Sequence, residues 1–178
     1  MLIRLLVCGA MGLARLVELA HSQRNLKRLG PVAEGELSRR TFPLMVALHT
    51  AVIAGTALRG KQPRPLWLAG LIGLQPLRLW ILLTLGHGWS ARGAVAEQVT
   101  VATNGPYRYI RHPNYAVVLG ELVFLPLAFG LRRLACLGLI ANAALITIRI
   151  RDEERLLMAK PGYEEHFGRK RRLLPYLL

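Results

Sequence analysis

Apolar runs broken at short intervals by arginine and lysine constrain this chain more than any other feature. Five runs, at about 2–20, 42–58, 66–85, 116–131 and 134–148, hold most of its apolar residues. In hydrocarbon every backbone amide must bond within its own segment, so runs of this kind fold as helices. The chain is 53% hydrophobic, and its 24 Lys and Arg stand against 10 Asp and Glu. In a soluble domain that excess would point to nucleic acid. Lying between apolar runs, it points to a bilayer surface, and no nucleic-acid partner is expected. The fold class expected is all-α: a polytopic, multi-pass membrane protein of about five transmembrane helices.

The first run is broken by Arg15, Glu18 and His21 where a signal-peptide cleavage site would need small residues, so it reads as a retained helix. Arg15, Glu18, Ser22 and Asn25 recur at helical spacing as one polar stripe. The stripe meets either lipid headgroups or the bundle interior. Residues 24–41 read as a basic loop broken by Gly30-Pro31 and Glu34-Gly35. His49 lies alone on the second run, as a packing residue or a functional one. In the third run Gln75 and Arg78 share a face, and Pro76 interrupts the helix. Trp89 fits an interfacial anchor. Arg132-Arg133 marks a tight turn between the fourth and fifth runs, which form a hairpin. Glu121 lies on the fourth run, and the fifth continues into Arg149 and Asp152-Glu153-Glu154. Cys8 and Cys136 both fall in apolar runs and read as packing residues. No zinc spacing, Walker loop or GxSxG element occurs, and no metal is expected.

With the N-terminus outside, five spans put most basic loop residues inside, together with the C-terminal Arg169, Lys170, Arg171 and Arg172. The same side then carries the most unusual stretch, Gly105-Pro106-Tyr107-Arg108-Tyr109-Ile110-Arg111-His112-Pro113-Asn114-Tyr115. Proline disfavours helix in the residue before it and is well placed as a first helical residue. His112 should therefore be non-helical and Pro113 should open the fourth helix. Its first N–H groups would then face a space lined by Tyr107, Arg111, His112 and Tyr115, suited to an anion.

Gly105-Pro106-Tyr107, Arg111-His112-Pro113-Asn114-Tyr115, the hairpin, then Arg149 and Glu153-Glu154 ahead of a Tyr163/Pro175 tail: this pattern resembles the isoprenylcysteine carboxyl methyltransferase family of integral membrane methyltransferases. In the N-terminal half, Arg15, Glu18-Leu19, Ser22, Arg24-Asn25, Pro43-Leu44-Met45 and Leu48-His49 look like a bacterial branch of that family. That branch is associated with type III polyketide synthases and O-methylates alkylresorcinols or alkylpyrones. The resemblance implies S-adenosylmethionine as methyl donor. It also implies a division into 1–98, a substrate-side transmembrane bundle, and 99–178, a cofactor-binding and catalytic region with a membrane hairpin. The location implied is a bacterial inner membrane with the site on the cytoplasmic side.

By the same resemblance, Tyr107, His112, Pro113, Asn114, Tyr115 and Glu153 bind the cofactor, with backbone from 99–102, and Arg149 falls on the family's substrate-side arginine. The tail departs from the family, with Pro161-Gly162-Tyr163 and His166 where members carry Phe-Gly and paired tyrosines. The residue chemistry is compatible. Arg111 suits the donor's carboxylate, Glu153 its ammonium or ribose hydroxyls, and the tyrosines its adenine or sulfonium. Arg149 can stabilise an oxyanion, and Glu154 or His112 is a candidate base. His49, Arg78 and Glu121 would contact a lipophilic small-molecule acceptor among apolar helices. Prenylated thiols, phenolic lipids and fatty carboxylates all suit such a bundle. The competing readings are a phospholipid N-methyltransferase, an NADPH-dependent enzyme like the sterol reductases, which share an Arg-His-Pro-Asn-Tyr segment, and a structural or transport protein.

Overall fold

A computed structural model describes residues 1–96 and 101–173. Five helices form an antiparallel bundle: α1 (Leu2–Arg28), α2 (Glu36–Arg59), α3 (Pro65–Leu85), α4 (Pro113–Ala128) and α5 (Arg132–Met158). A short α6 (Tyr163–Phe167) follows. By length and composition α2, α3 and α5 can each cross a membrane. At 16 residues α4 is a shorter apolar helix. The chain is mostly helical, as expected, and among the described residues three helices rather than the expected five are long and apolar enough to cross a membrane.

Several boundaries differ from the sequence reading. The basic stretch at 24–41 is mostly helical, because Arg24, Lys27 and Arg28 extend α1 and Arg39 and Arg40 lie in the first turns of α2. What separates the two helices includes β1 (Val32–Ala33), which pairs antiparallel with β2 (Val95–Ala96). The turn between α4 and α5 is made by Gly130 at φ 76°, a left-handed conformation suited to glycine, and Arg132-Arg133 open α5 instead. Trp89 is not an interfacial anchor: it is buried, stacked on His21 at 5.9 Å between ring centroids. Cys8 is buried as expected, whereas Cys136 is exposed. As expected, α5 runs unbroken past residue 148 into the acidic segment.

The bundle leaves Leu6, Leu13, Leu16, Leu83 and Ile140 exposed. In lipid such faces need no cover, so association rests on close packing and polar contacts between helices. Small residues provide the close approaches. A Cβ on Gly120 of α4 would come 2.7 Å from Leu74 Cδ1 of α3, and one on Gly138 of α5 would come 3.2 Å from Val52 Cγ2 of α2. Near the site, Met45, Val52, Tyr115, Val118, Leu122, Ile146 and Ile150 pack as one cluster, so α2, α4 and α5 share a core. At the opposite end the α2–α3 connection is zipped to the hairpin turn: Lys61 and Arg64 N–H donate to Phe129 and Ala128 carbonyls, each at 2.8 Å.

At the site end, Asp152 of α5 caps α2 by accepting the Ser38 N–H at 2.8 Å. This satisfies one of the amides left free at a helix start. Gly35 allows it, because any Cβ there would collide with the Asp152 side chain.

Candidate active site

Pro113 opens α4 and His112 precedes it in a non-helical conformation (φ −127°, ψ 60°), as the sequence indicates. The expected ring of free amides is not formed. The His112 carbonyl accepts both the Tyr115 and the Ala116 N–H, so those two donors are satisfied inside the turn. What the turn delivers is side chains. Asn114 and Tyr115 point into the bundle, and the Tyr115 hydroxyl donates to Glu153 Oε2 at 2.6 Å. The His112 and Tyr115 rings lie 5.6 Å apart.

Two cavities meet here. The first, about 110 Å³, is lined by Tyr107, His112, Asn114, Tyr115, Arg149 and Glu153, closed by Tyr163 and Phe167 of α6. The second, about 360 Å³, is mostly apolar and lies between α1 and α2, with Arg15, Glu18, His49, Arg78 and Arg149 in its wall. Trp89, Asn114, Tyr115 and Arg149 line both. Arg149 is 2% exposed. Its Nη2 donates to the Ala91 carbonyl at 2.7 Å, while Nε and Nη1 have no hydrogen-bond partner among the described residues. Its guanidinium carbon lies 5.9 Å from the Phe42 ring centroid and 6.0 Å from that of Tyr115. A buried guanidinium with two unmet donors, on the partition between two cavities, is suited to a developing or resident negative charge.

The polar stripe of α1 turns inward. Ser22 and Asn25 are buried. Asn25 Nδ2 donates to the Trp89 carbonyl at 2.9 Å, and Ser22 Oγ accepts the Ala91 N–H at 2.9 Å. Thus α1 holds the segment that carries the Arg149 anchor. Glu18 accepts from Arg78 Nε at 2.9 Å and Nη2 at 2.7 Å, and Arg78 Nη1 donates to Asn114 Oδ1 at 2.9 Å. Arg78 therefore borders the apolar cavity and orients Asn114 in the partition.

Four expected site residues have other surroundings. Glu121 lines neither of these cavities; its Oε1 accepts from Arg15 Nη2 and Gln75 Nε2, each at 3.2 Å, so it anchors α1 and α3 to α4. Glu154 also lines neither and is no free base. It accepts from Arg172 at 2.7 and 3.1 Å, from Arg111 at 3.2 Å, and contacts His112 Nε2 at 3.3 Å. Arg111 borders the first cavity, but its guanidinium is engaged by Glu154 and by the Lys170 and Gly168 carbonyls at 2.8 and 2.9 Å. Glu154 and Arg111 thus clamp the tail, helped by Arg111 and His112 N–H groups donating to the Arg171 and Arg172 carbonyls. Pro113 touches neither cavity and acts by starting α4.

The sequence reading missed Gly93 and Phe167, and placed Tyr163 in the tail without a role. Gly93 adopts φ 69°, and a Cβ there would lie 3.2 Å from Arg149 Nη2, 3.5 Å from Tyr115 Oη and 3.7 Å from Glu153 Oε2. The cradle is open because that position lacks a side chain. Tyr163 is buried, stacked on Phe167 at 5.0 Å, and its hydroxyl has no partner among the described residues. No local motif marks Phe167; the folding of the tail over the loop brings it in. Burial first, and then the Glu153 carboxylate, push the Tyr107 phenol above its ordinary range. Burial and the carboxylates of Glu154 and Glu153 do the same to Tyr163. Of the 99–102 backbone, residues 99 and 100 lie outside the described residues, as do Glu97, Gln98 and Pro175; Val101 and Ala102 line the first cavity.

The model of the isoprenylcysteine carboxyl methyltransferase family matches residues 67–159, which includes α4, α5 and every residue of the shared partition. The chain is also 33% identical over 150 residues to the uncharacterized protein YpbQ of Bacillus subtilis (strain 168), covering 80% of this chain and 89% of that protein.

Proposed function

The chain belongs to the isoprenylcysteine carboxyl methyltransferase family, and we propose that it is an S-adenosylmethionine-dependent O-methyltransferase acting on a lipophilic acceptor at the membrane. The observation that carries this reading is Arg149, buried on the wall common to a polar and an apolar cavity with two donors unmet among the described residues.

The first cavity suits the cofactor. The Glu153 carboxylate and the faces of Tyr107, Tyr115 and Tyr163 favour a cationic group, and Gly93 leaves room beside them. Bound there, S-adenosylmethionine would supply an activated methyl group on a sulfonium. The Tyr115 hydroxyl fixes Glu153 in place. From the other side, the apolar cavity receives the hydrocarbon of an acceptor, and Arg149 holds its nucleophilic oxygen toward the partition. An ordinary phenol has a pKa near 10; a neighbouring guanidinium stabilises its oxyanion and so lowers the cost of losing the proton. A carboxylate acceptor needs no deprotonation and the same cation. Holding both reactants at one partition removes much of the entropic barrier to an in-line displacement. Arg15, Arg78 and Arg149 in the apolar cavity disfavour an ammonium headgroup, so oxygen is the better acceptor than nitrogen.

Phenolic lipids of the alkylresorcinol or alkylpyrone kind, or a prenylcysteine-type carboxylate, fit these requirements, and a link to a type III polyketide synthase belongs to the first. The C-terminal ends of α1 and α5 and the Arg169–Arg172 cluster supply basic residues at the site end, which supports a site on the cytoplasmic face of a bacterial inner membrane. Labelled S-adenosylmethionine added to membranes containing the protein tests the reading. Label in the lipid extract supports it. Release of that label by mild base identifies an ester and hence a carboxylate acceptor; stable label that is not in an N-methyl headgroup identifies an ether. No label, with no cofactor binding, defeats it.

A further inference from the structure

Two polar layers cross this bundle, and the site uses one. The first contains Ser22 of α1, Phe42 of α2, Asn114 of α4 and Arg149 of α5; Ala91 links Ser22 to Arg149, and Arg149 lies against Phe42. Seven residues further from that end on each helix stand Arg15, His49, Glu121 and Asn142. Arg15 is tied to Glu121, and Gln75 of α3 joins the same carboxylate. Seven helical residues are about two turns, which sets the layers about 10 Å apart.

The second layer is incompletely bonded where it meets the apolar cavity. The Arg15 guanidinium gives Nη1 to Glu18 at 3.0 Å and Nη2 to Glu121, which leaves Nε without a partner among the described residues. Among the described residues, His49 Nε2 has no partner within hydrogen-bond geometry, nor has either amide atom of fully buried Asn142, the side chain beside it. Arg15 and His49 line the same cavity as Arg149. Covering such groups with hydrocarbon alone is costly.

We propose that Arg15 and His49 form a second polar subsite, which holds an oxygen of the acceptor remote from the oxygen that is methylated. The inference rests on the methyltransferase reading of Arg149 and deepens it. Two hydrogen bonds of about 3 Å each and a head one ring wide bridge the layers. A lone carboxylate, whose oxygens share one carbon, engages Arg149 and leaves the second layer unmet.

The test uses the full chain in lipid nanodiscs and a matched pair of probes, 5-pentadecylresorcinol and 3-pentadecylphenol, which differ by one hydroxyl. Affinity is read by thermal stabilisation without cofactor, so it does not depend on turnover. The wild-type protein binds the resorcinol at least tenfold more tightly than the phenol. In His49→Leu that ratio falls to within about twofold, and in His49→Gln, which restores a hydrogen-bonding group, most of it returns. If His49→Leu does not fold, Arg15→Lys replaces it, keeping the charge toward Glu18 and Glu121 while removing the Nε donor; it lowers the ratio likewise. Equal binding of the two probes by the wild type, binding of neither, or an unchanged ratio in the variant overturns the subsite. Cofactor binding measured on the same samples reports separately on the methyltransferase reading.

Discussion

Tyr115 and Glu153 are joined by a 2.6 Å hydrogen bond that ties the first turn of α4 to the end of α5 beside the first cavity. Hydrogen bonds to a carboxylate are stronger than neutral ones, so this bond fixes where the negative charge stands. Glu153→Ala should weaken S-adenosylmethionine binding at least tenfold in titration calorimetry. Tyr115→Phe keeps the ring and loses the bond, and should cost only a few-fold. Glu153→Ala with wild-type affinity would remove Glu153 from the site.

Gly93 offers a separate probe of the same cavity. Gly93→Ala demands φ 69° of a residue with a side chain and pushes a methyl to 3.2 Å from Arg149 Nη2. Cofactor affinity should fall at least tenfold, while the melting temperature in detergent moves by only a few degrees. A variant that binds normally means the cofactor lies elsewhere.

The Glu18–Arg78 pair is nearly sealed from solvent, with side-chain exposures of 13% and 6%. Breaking one side of a buried pair costs about 3–5 kcal/mol when the charge left behind has no other partner. Glu18 keeps Arg15 Nη1 at 3.0 Å, so Arg78→Met should destabilise the protein by less than that. Arg78→Met combined with Glu18→Leu should be less damaging than the single change, because no orphan charge remains. Thermal unfolding of the three variants decides it; additive losses would mean the pair is not coupled.

Glu154 holds Arg111, His112 and Arg172 together. Glu154→Gln should expose the segment after residue 160 to limited proteolysis and raise the KM for S-adenosylmethionine, with the shape of the pH–rate profile retained. Loss of a titrating limb from that profile, with the tail still protected, would make Glu154 the base after all.

The sequence exposes those parts of the fold that depend on local rules. His112-Pro113 dictates where α4 begins, and the period of Arg149 and Glu153 carries α5 past the apolar run. It also brings Tyr107, Asn114, Tyr115, Arg149 and Glu153 onto one short list, and all five line the first cavity. It gave Glu153 to the cofactor and Glu154 to the base role, but it could not show that Glu154 turns to the tail, because adjacent residues on a helix point about 100° apart and only tertiary packing decides what each one meets. The Arg111 guanidinium and Glu121 are engaged elsewhere for a similar reason: tail carbonyls and Arg15 are far in sequence and leave no local mark. Gly93 was invisible because its value lies in the atom it lacks.

The central claim concerns Arg149, and a comparison of Arg149→Met with wild type tests it most directly. Methyl transfer from labelled S-adenosylmethionine into a lipid acceptor and cofactor affinity are measured on the same membranes. The variant should bind the cofactor within about threefold of wild type yet lose at least 100-fold in kcat/KM, about 2.7 kcal/mol of transition-state stabilisation. Undiminished transfer by Arg149→Met would contradict the assignment of this partition as the place where the methyl group moves.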